Sequence, residues 1–206
     1  MPSRDGGQLA RFGPTRRGGP VFRWLGEPLA IDLANTVLVV REGEEVDLLA
    51  TRDDLRRWLA AERERLGDCA FAVAHLAEIR ALRDAVRGAL SATAAGATPP
   101  PEALEHVNAA CADAPVAPQL NVGPDGELRV DERPASPDPL ARLLATLARS
   151  AIALLTGPER LHLCGAPSCG MLFLGQRRWC CAACGNRARA ARHYRRTKER
   201  AAARAV

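Results

Sequence analysis

Residues 159–200, ERLHLCGAPSCGMLFLGQRRWCCAACGNRARAARHYRRTKER, decide how the C-terminal part of this 206-residue chain folds. Two close cysteine pairs are joined by a short loop in the pattern C-x4-C-x10-C-x3-C, formed by Cys164, Cys169, Cys180 and Cys184. This arrangement suits tetrahedral coordination of Zn²⁺ by thiolates, because each pair can span one edge of the tetrahedron. Four thiolates leave no open coordination position. We therefore predict one structural zinc ion and no metal catalysis.

A fifth cysteine in the segment, Cys181, competes with Cys180 for the third ligand position. Cys181 and Cys184 have the C-x2-C spacing that is more usual at zinc sites, whereas two adjacent side chains do not easily point at one ion. A redox-active pair of Cys181 and Cys184 is disfavoured, since no thioredoxin-like βαβ pattern precedes it. The chain has no secretion signal, so a disulfide framework is also disfavoured. The spacing alone leaves open which of the two adjacent cysteines is the ligand.

A strongly basic segment is attached to the cysteine pattern. Residues 176–206 carry ten Lys or Arg and one acid, out of totals of 29 basic and 24 acidic residues. Residues 1–175 therefore hold 19 basic and 23 acidic residues, a net charge of −4. The basic segment has high helix propensity, and Ala188, Ala191 and Tyr194 recur at a spacing that can face the zinc site. A localised cationic helix is typical of proteins that bind a polyanion.

Arginines on a rigid helix can contact phosphates and pair with guanine in the major groove. We therefore predict a DNA-binding surface on this helix and on the loop before the third zinc ligand. The predicted contact residues are Arg177, Arg178, Asn186, Arg187, Arg189, Arg192, Arg195 and Arg196. The alternative is a zinc-stabilised adaptor whose basic helix binds an acidic protein partner.

The rest of the chain is predicted to be mainly α with a small β element, an α+β body. Thr51 and Asp54 indicate a capping box at the start of a helix. Further helices are predicted from the apolar spacing, over residues 76–90, 101–112 and 137–156. Residues 119–130 alternate around Gly-Pro-Asp-Gly and predict a β-hairpin, whereas residues 41–47 are predicted to be a loop. Residues 1–20 are predicted to be a disordered leader.

The apolar run that begins at Leu29 fits either a short strand or a buried helix. It contains one polar cluster, Asp32, Asn35 and Thr36. The cluster could line a ligand pocket, but a turn or helix cap, with Asp32 hydrogen-bonded to the backbone, is the favoured interpretation.

The string RWCCAACGNRAR, residues 178–189, resembles the CGNR zinc finger. This resemblance implies that Cys164, Cys169, Cys180 and Cys184 are the zinc ligands. The run LAIDLANT, residues 29–36, together with the helix that holds Trp58, resembles the ABATE domain that usually precedes this finger. The resemblance implies an ABATE-like domain at 21–157 and a finger with its basic helix at 158–206. It also implies a stress-induced transcription regulator whose body senses a ligand.

The sequence predicts a cytoplasmic protein, because it has no apolar signal core and no run of eighteen uncharged apolar residues. It contains no phosphate-binding loop, nucleophile elbow or second metal motif, so we predict no catalytic residues and no enzyme activity. The expected partners are DNA and a small-molecule effector, without a membrane. A homodimer is also expected, because one finger covers a short stretch of DNA.

Overall fold

The structure is a computed structural model that describes residues 26–41, 44–167 and 169–204. The predicted leader at 1–20 lies outside these residues. The helices of the described part are α1 (Leu29–Ala34), α2 (Arg52–Ala61), α3 (Arg63–Leu66), α4 (Leu76–Ala94), α5 (Pro101–Ala112), α6 (Pro139–Thr156) and α7 (Ala182–Arg204), with a 3₁₀ helix at Ala70–His75. The strands are β1 (Val37–Arg41), β2 (Glu44–Asp47), β3 (Val116–Val122), β4 (Leu128–Pro134), β5 (Leu161–Leu163) and β6 (Leu172–Leu174), paired consecutively into three antiparallel hairpins. The predicted fold, mainly helical with small β elements, is confirmed.

Helix α4 is the centre of the body. It packs against α1, α5, α6 and β5. Its buried residues Ile79, Leu82, Val86 and Leu90 recur every three or four positions, so one face of the helix lies in the core, as the apolar spacing predicts. The body therefore has one continuous hydrophobic core. Because only 4% of the residues are aromatic, aliphatic side chains fill most of it.

Helix α2 begins at the predicted capping box. The Thr51 hydroxyl accepts a hydrogen bond from the Asp54 N–H, and the Asp54 carboxylate accepts one from the Thr51 N–H at 2.8 Å. These two bonds satisfy donors that the first turn would otherwise leave free. They set the helix so that Leu55 and Trp58 are fully buried.

The structure corrects one of the sequence predictions and decides another. The prediction of a loop over residues 41–47 is wrong for Arg41 and for residues 44–47, because these belong to the paired strands β1 and β2, with Asp47 opposite Val37. Residues 42 and 43 lie outside the described residues. Two acidic residues of β2 contact arginines of α4: Asp47 lies 2.5 Å from Arg83, and Glu45 lies 3.6 Å from Arg87. The loop prediction rested on the acidic composition of this segment, but ion pairs with arginines allow the segment to form a strand. The run from Leu29 forms the short buried helix α1, which leads into β1.

The remaining elements follow the predictions closely. The hairpin of β3 and β4 contains the predicted residues 119–130, and α5 has the predicted bounds. Helix α6 begins at Pro139, because the Asp138 carboxylate accepts a hydrogen bond from the Leu140 N–H and caps it.

Among the described helices, α6 alone is long and apolar enough to cross a membrane by length and composition. Its residues Leu143, Leu147 and Ala151 are buried in the core of the body. A single helix of this kind is weak evidence for a membrane span.

The hairpin of β5 and β6 joins the C-terminal segment to the body. Leu161 and Leu172 belong to the same core as α1, α4 and α6. Gly170 precedes β6 with a φ of 65°, and a Cβ built on it would lie 2.9 Å from the Val39 side chain of β1. Both the backbone conformation and this close approach require glycine at that position.

Candidate metal centre and basic helix

Four buried cysteines meet beside the body. Cys164 follows β5 and its N–H donates to the Met171 carbonyl, while Cys169 precedes β6, so the hairpin brings the first pair together. Cys180 comes from the loop after β6 and Cys184 from the first turn of α7. The sulfur atoms of Cys164, Cys169, Cys180 and Cys184 all lie within 4.8 Å of one another.

The spacing of these sulfur atoms fits a tetrahedral zinc ion. Zn–S bonds of about 2.3 Å imply S···S distances of about 3.8 Å along the edges of the tetrahedron. The Sγ atom of Cys180 lies 3.5 Å from that of Cys169 and 3.4 Å from that of Cys184, and Cys184 and Cys169 are 3.6 Å apart. The four cysteines can therefore hold one structural zinc ion, as the sequence predicts.

Proton competition within the cluster supports the same conclusion. A hydrogen bond from Cys180 lowers the pKa of Cys169 to about 5, whereas burial raises the pKa of Cys184 to about 11. Buried sulfurs this close cannot all ionise by themselves, because each thiolate disfavours the next. A divalent cation is the partner that allows all four to be thiolates.

Cys181 lies outside the group of four. Its Sγ atom is 4.0 Å from that of Cys180, and its side chain is partly exposed. The geometry thus favours Cys180 over Cys181 as the third member of the group.

Aromatic and cationic side chains surround the metal centre. Phe173 is fully buried in the cysteine cluster and Trp179 packs against it. The guanidinium carbon of Arg177 lies 5.0 Å from the centre of the Phe173 ring, and that of Arg178 lies 5.0 Å from the Trp179 ring. These contacts give a small subdomain an apolar shell around its sulfur atoms.

Arg187 is bound to the metal centre itself. Its Nη2 atom donates to the Sγ atom of Cys184 at 3.0 Å, one helical turn away. This bond raises the pKa of Arg187 and places a positive charge beside the sulfur cluster. Four thiolates around Zn²⁺ carry a net negative charge, so a guanidinium at this position stabilises the filled site.

Two polar side chains of the body hold the finger. The Asn35 amide donates to the Leu172 carbonyl at 2.9 Å and accepts from the Leu172 N–H at 2.8 Å. The Glu27 carboxylate accepts from the Leu174 N–H at 3.0 Å and forms an ion pair with Arg177. Strand β6 is therefore bound to the body along its outer edge.

A buried acidic group lies next to this junction. Arg65 contacts the carboxylates of Asp32 at 2.7 Å and Glu62 at 3.1 Å, and it also donates to the Glu27 carbonyl. Burial raises the pKa of Asp32 to about 6 and that of Glu62 to about 7, despite the guanidinium between them. Burial disfavours the charged form of both carboxylates and outweighs the nearby guanidinium of Arg65, so both hold protons more tightly than usual.

The polar cluster of Asp32, Asn35 and Thr36 makes both local hydrogen bonds and contacts with distant residues. Thr36 donates to the Leu33 carbonyl, and Asn35 is the C-terminal residue that ends α1, so the turn prediction is right for the backbone. The Asp32 carboxylate has a backbone hydrogen bond at Glu27, as expected, but it also binds Arg65. The Asn35 side chain instead binds Leu172, far along the chain. No local sequence signal identifies Leu172 or Arg65 as those partners.

Helix α7 carries most of the predicted DNA-contacting residues on its surface. Ala188 is buried toward the cysteine cluster and Ala191 is half-buried, as predicted, but Tyr194 is 69% exposed. The prediction for Tyr194 is wrong because the helix extends beyond the finger at that point. Asn186, Arg189, Arg195 and Arg196 are exposed, and Arg192 is half-buried.

The predicted contact residues therefore fall into two groups. Arg177 and Arg187 are engaged with Glu27 and Cys184. Arg189 donates to the Asn186 side chain, one turn back on the same helix. Within the described residues, Arg192, Arg195 and Arg196 form no ion pair, and their charges face solvent.

Comparison with known families found two matches, one to the helical body and one to the segment with the four cysteines. The ABATE family, described as "Putative stress-induced transcription regulator", matches residues 27–158. The CGNR zinc finger family matches residues 160–197. A search of curated proteins found no match.

Proposed function

The chain belongs to the ABATE family and carries a CGNR zinc finger, and from this premise we propose that it is a transcription regulator that binds DNA through α7. The zinc ion has an architectural role in this proposal. It holds the first turn of α7 through Cys184 and the loop before it through Cys180. The proposal is a binding protein and not an enzyme, since four thiolates leave no coordination position for a substrate.

The observation that carries the proposal is a row of arginines on α7 that form no ion pair within the part of the chain that the structure describes. Residues 189, 192 and 196 fall within an arc of about 60° when plotted at 100° per residue. On the same plot the buried residues Cys184 and Ala188 lie on the adjacent face of the helix, with Ala188 about 40° from Arg192. A helix fixed at one end by metal and body contacts can present such a row to a phosphate backbone or a major groove.

The two groups of arginines have different roles in this proposal. Arg189, Arg192, Arg195 and Arg196 contact DNA, together with Arg178 and Asn186 near the start of the helix. Arg177 and Arg187 act indirectly, because they hold the finger to the body and to the metal centre. Most contacts are to phosphate, so affinity falls steeply with salt.

The body is proposed to sense a small-molecule effector, and the protein is proposed to act in the cytoplasm. The structure offers two clefts of ligand size. One, of about 290 Å³, is lined by residues that include Arg56, Arg63 and Cys69, and the other, of about 370 Å³, lies between the C-terminal ends of α4 and α6. A thermal-shift screen of the full chain tests this part, because a ligand that binds the folded state raises its melting temperature.

Fluorescence anisotropy with labelled genomic duplexes tests the DNA proposal. The zinc-loaded chain is titrated at about 50 and about 200 mM salt beside the triple variant Arg189→Ala, Arg192→Ala, Arg196→Ala. A matched control removes three exposed arginines of the body, Arg52→Ala, Arg57→Ala and Arg142→Ala, and so changes the net charge equally. We expect the α7 variant to lose at least tenfold in affinity and the control to lose little.

The alternative adaptor function gives a different result in the same experiment. An adaptor would bind an acidic polypeptide such as polyglutamate more tightly than duplex DNA at equal salt. Equal losses in both triple variants would show that only net charge matters, and the DNA proposal would then be wrong.

A further inference from the structure

The hairpin of β3 and β4 carries an apolar face that nothing in the described protein covers. Leu120, Val122, Leu128 and Val130 are each 65–68% exposed and lie side by side, since Leu120 pairs with Val130 and Val122 with Leu128. The hairpin lies between α5 and α6 in the chain and packs mainly on itself. Isolated two-stranded hairpins of this kind are marginally stable, so an exposed aliphatic face indicates a missing neighbour.

The pattern of hydrogen bonds between β3 and β4 shows which backbone N–H and C=O groups point away from the partner strand. The Gly123 N–H donates to the Glu127 carbonyl and the Ala135 N–H donates to the Pro115 carbonyl, both at 2.8 Å. Bonded and non-bonded pairs alternate in an antiparallel ladder. The even-numbered residues of β4, which are Leu128, Val130, Glu132 and Pro134, therefore turn their backbone polar groups away from β3.

The two edges of the hairpin differ in a way that matters for assembly. On β3 the corresponding outward position opposite Glu132 is Pro118, which has no N–H to donate. Proline blocks that edge against strand addition. Strand β4 has no proline before Pro134, so its outer edge can accept another strand.

We propose that two copies of this chain form a dimer by pairing their β4 strands antiparallel about Val130. A two-fold axis at Val130 places Arg129 opposite Asp131 of the second copy and Glu127 opposite Arg133. Symmetry repeats each pair, which gives four opposite-charge pairs on one face of a four-stranded sheet. On the apolar face the two Val130 side chains meet.

The charge pattern selects this register over its neighbours. A two-fold axis at Asp131 would place Asp131 opposite itself and Arg129 opposite Arg133, and an axis at Arg129 would place Asp131 opposite Glu127. Each alternative sets like charges directly across the strands, which is destabilising. Within one chain, Arg129 also pairs with Asp125 at 2.5 Å, but this pair is half-exposed and can be exchanged at low cost.

The blocked β3 edge makes the assembly stop at two copies, because the new sheet ends in Pro118 on both sides. This inference does not depend on DNA binding. It gives a regulator two finger helices related by two-fold symmetry.

Sedimentation equilibrium of the zinc-loaded full chain at low salt tests the dimer. Val130→Pro removes the outward N–H at the centre of the interface and is expected to give a monomer. Leu120→Pro is the matched control. Leu120 lies opposite Val130 on the same apolar face, but its N–H belongs to the outer edge of β3, so this variant is expected to remain a dimer. Equal dissociation of both variants would place the interface on the apolar face and overturn β4 pairing, as would a wild-type chain that stays monomeric up to about 100 μM.

A charge exchange keeps the test valid if a proline variant fails to fold. Arg129→Asp sets a carboxylate opposite Asp131 of the second copy and is expected to weaken the dimer at least tenfold. Adding Asp131→Arg restores an opposite-charge pair in the register about Val130 and is expected to restore the dimer. A double variant as monomeric as the single variant would overturn the proposed register.

Discussion

The side chain of Asn35 and the backbone of Leu172 form a reciprocal pair of hydrogen bonds across 137 positions of the chain. The amide nitrogen donates to the Leu172 carbonyl, and the amide oxygen accepts from the Leu172 N–H. An asparagine can thus act as one residue of an additional strand beside β6. Since β6 ends the hairpin that positions Cys164 and Cys169, this pair connects the body directly to the metal centre.

Replacing Asn35 with alanine tests the strength of that connection. We expect Asn35→Ala to lower the free energy of unfolding by about 3 kcal/mol, because it leaves two buried backbone groups of Leu172 without partners. Thr36→Val is the control, since the Thr36 hydroxyl bonds only to the Leu33 carbonyl, which also accepts from the Thr36 N–H. Urea denaturation measures both. Similar losses in the two variants would contradict the special role of Asn35.

Cysteine substitutions test the assignment of the zinc ligands. We expect the purified chain to contain one zinc ion, Cys184→Ser to lose it, and Cys181→Ser to retain it. Cys184 contributes a sulfur atom to the buried group of four, whereas Cys181 lies beside it. Metal content by inductively coupled plasma mass spectrometry measures this directly. Zinc loss in the Cys181 variant would show that the neighbouring cysteine is a ligand.

Removal of the metal is expected to unfold the finger but not the body. A subdomain with so small a core depends on its zinc ion, and its binding and folding are coupled. A strong chelator should therefore reduce the helical circular dichroism signal by roughly the contribution of α7, while the body keeps a cooperative transition. Unchanged helix content after complete zinc removal would contradict the coupling.

An arginine that contacts the sulfur cluster should behave differently from one that faces only solvent. We expect Arg187→Ala to weaken zinc affinity about tenfold or more, because it removes a donor to the Cys184 sulfur. Arg192→Ala should leave zinc affinity unchanged and weaken DNA binding. Competition with a chromophoric chelator measures the first effect and anisotropy the second. A loss of zinc affinity in both variants would show that the two arginines have the same role.

The buried carboxylates of Asp32 and Glu62 predict an unusual pH dependence of stability. Their pKa values in the folded protein, about 6 and about 7, lie above the ordinary values of 3.8 and 4.5. The folded state therefore binds more protons than the unfolded state between about pH 4 and pH 7, and stability falls as pH rises through this window. Glu62→Gln should flatten the dependence and stabilise the protein at about pH 8 by on the order of 2 kcal/mol. Denaturation from about pH 4.5 to about pH 8 measures it, and a slope identical to that of the wild type would contradict this assignment.

Sequence patterns predicted the features of this fold that depend on neighbours along the chain. The capping box at Thr51, the hairpin around Gly-Pro-Asp-Gly and the core face of α4 all follow from spacing of a few residues. The cysteine pattern likewise predicted the metal centre, because coordination requires fixed residue types at short intervals.

The features that the sequence did not reveal depend on distant partners. Strand β2 forms because Arg83 and Arg80 of α4 neutralise Asp47, and acidic composition alone gives no sign of them. Arg177 and Arg187 resemble the surface arginines in sequence, but Glu27 and Cys184 bind them. The division of the basic residues into those that contact Glu27 or Cys184 and those that contact neither therefore required the structure.

The salt dependence of DNA affinity tests the central claim most directly. The dissociation constant of the zinc-loaded chain for a duplex is measured from about 50 to about 300 mM salt, and its logarithm is plotted against the logarithm of salt concentration. If Arg189, Arg192 and Arg196 contact phosphates, their triple alanine variant should bind with a slope that is shallower by about 2 to 3. An unchanged slope, or no measurable binding of the wild-type chain at about 50 mM salt, would contradict DNA recognition by α7.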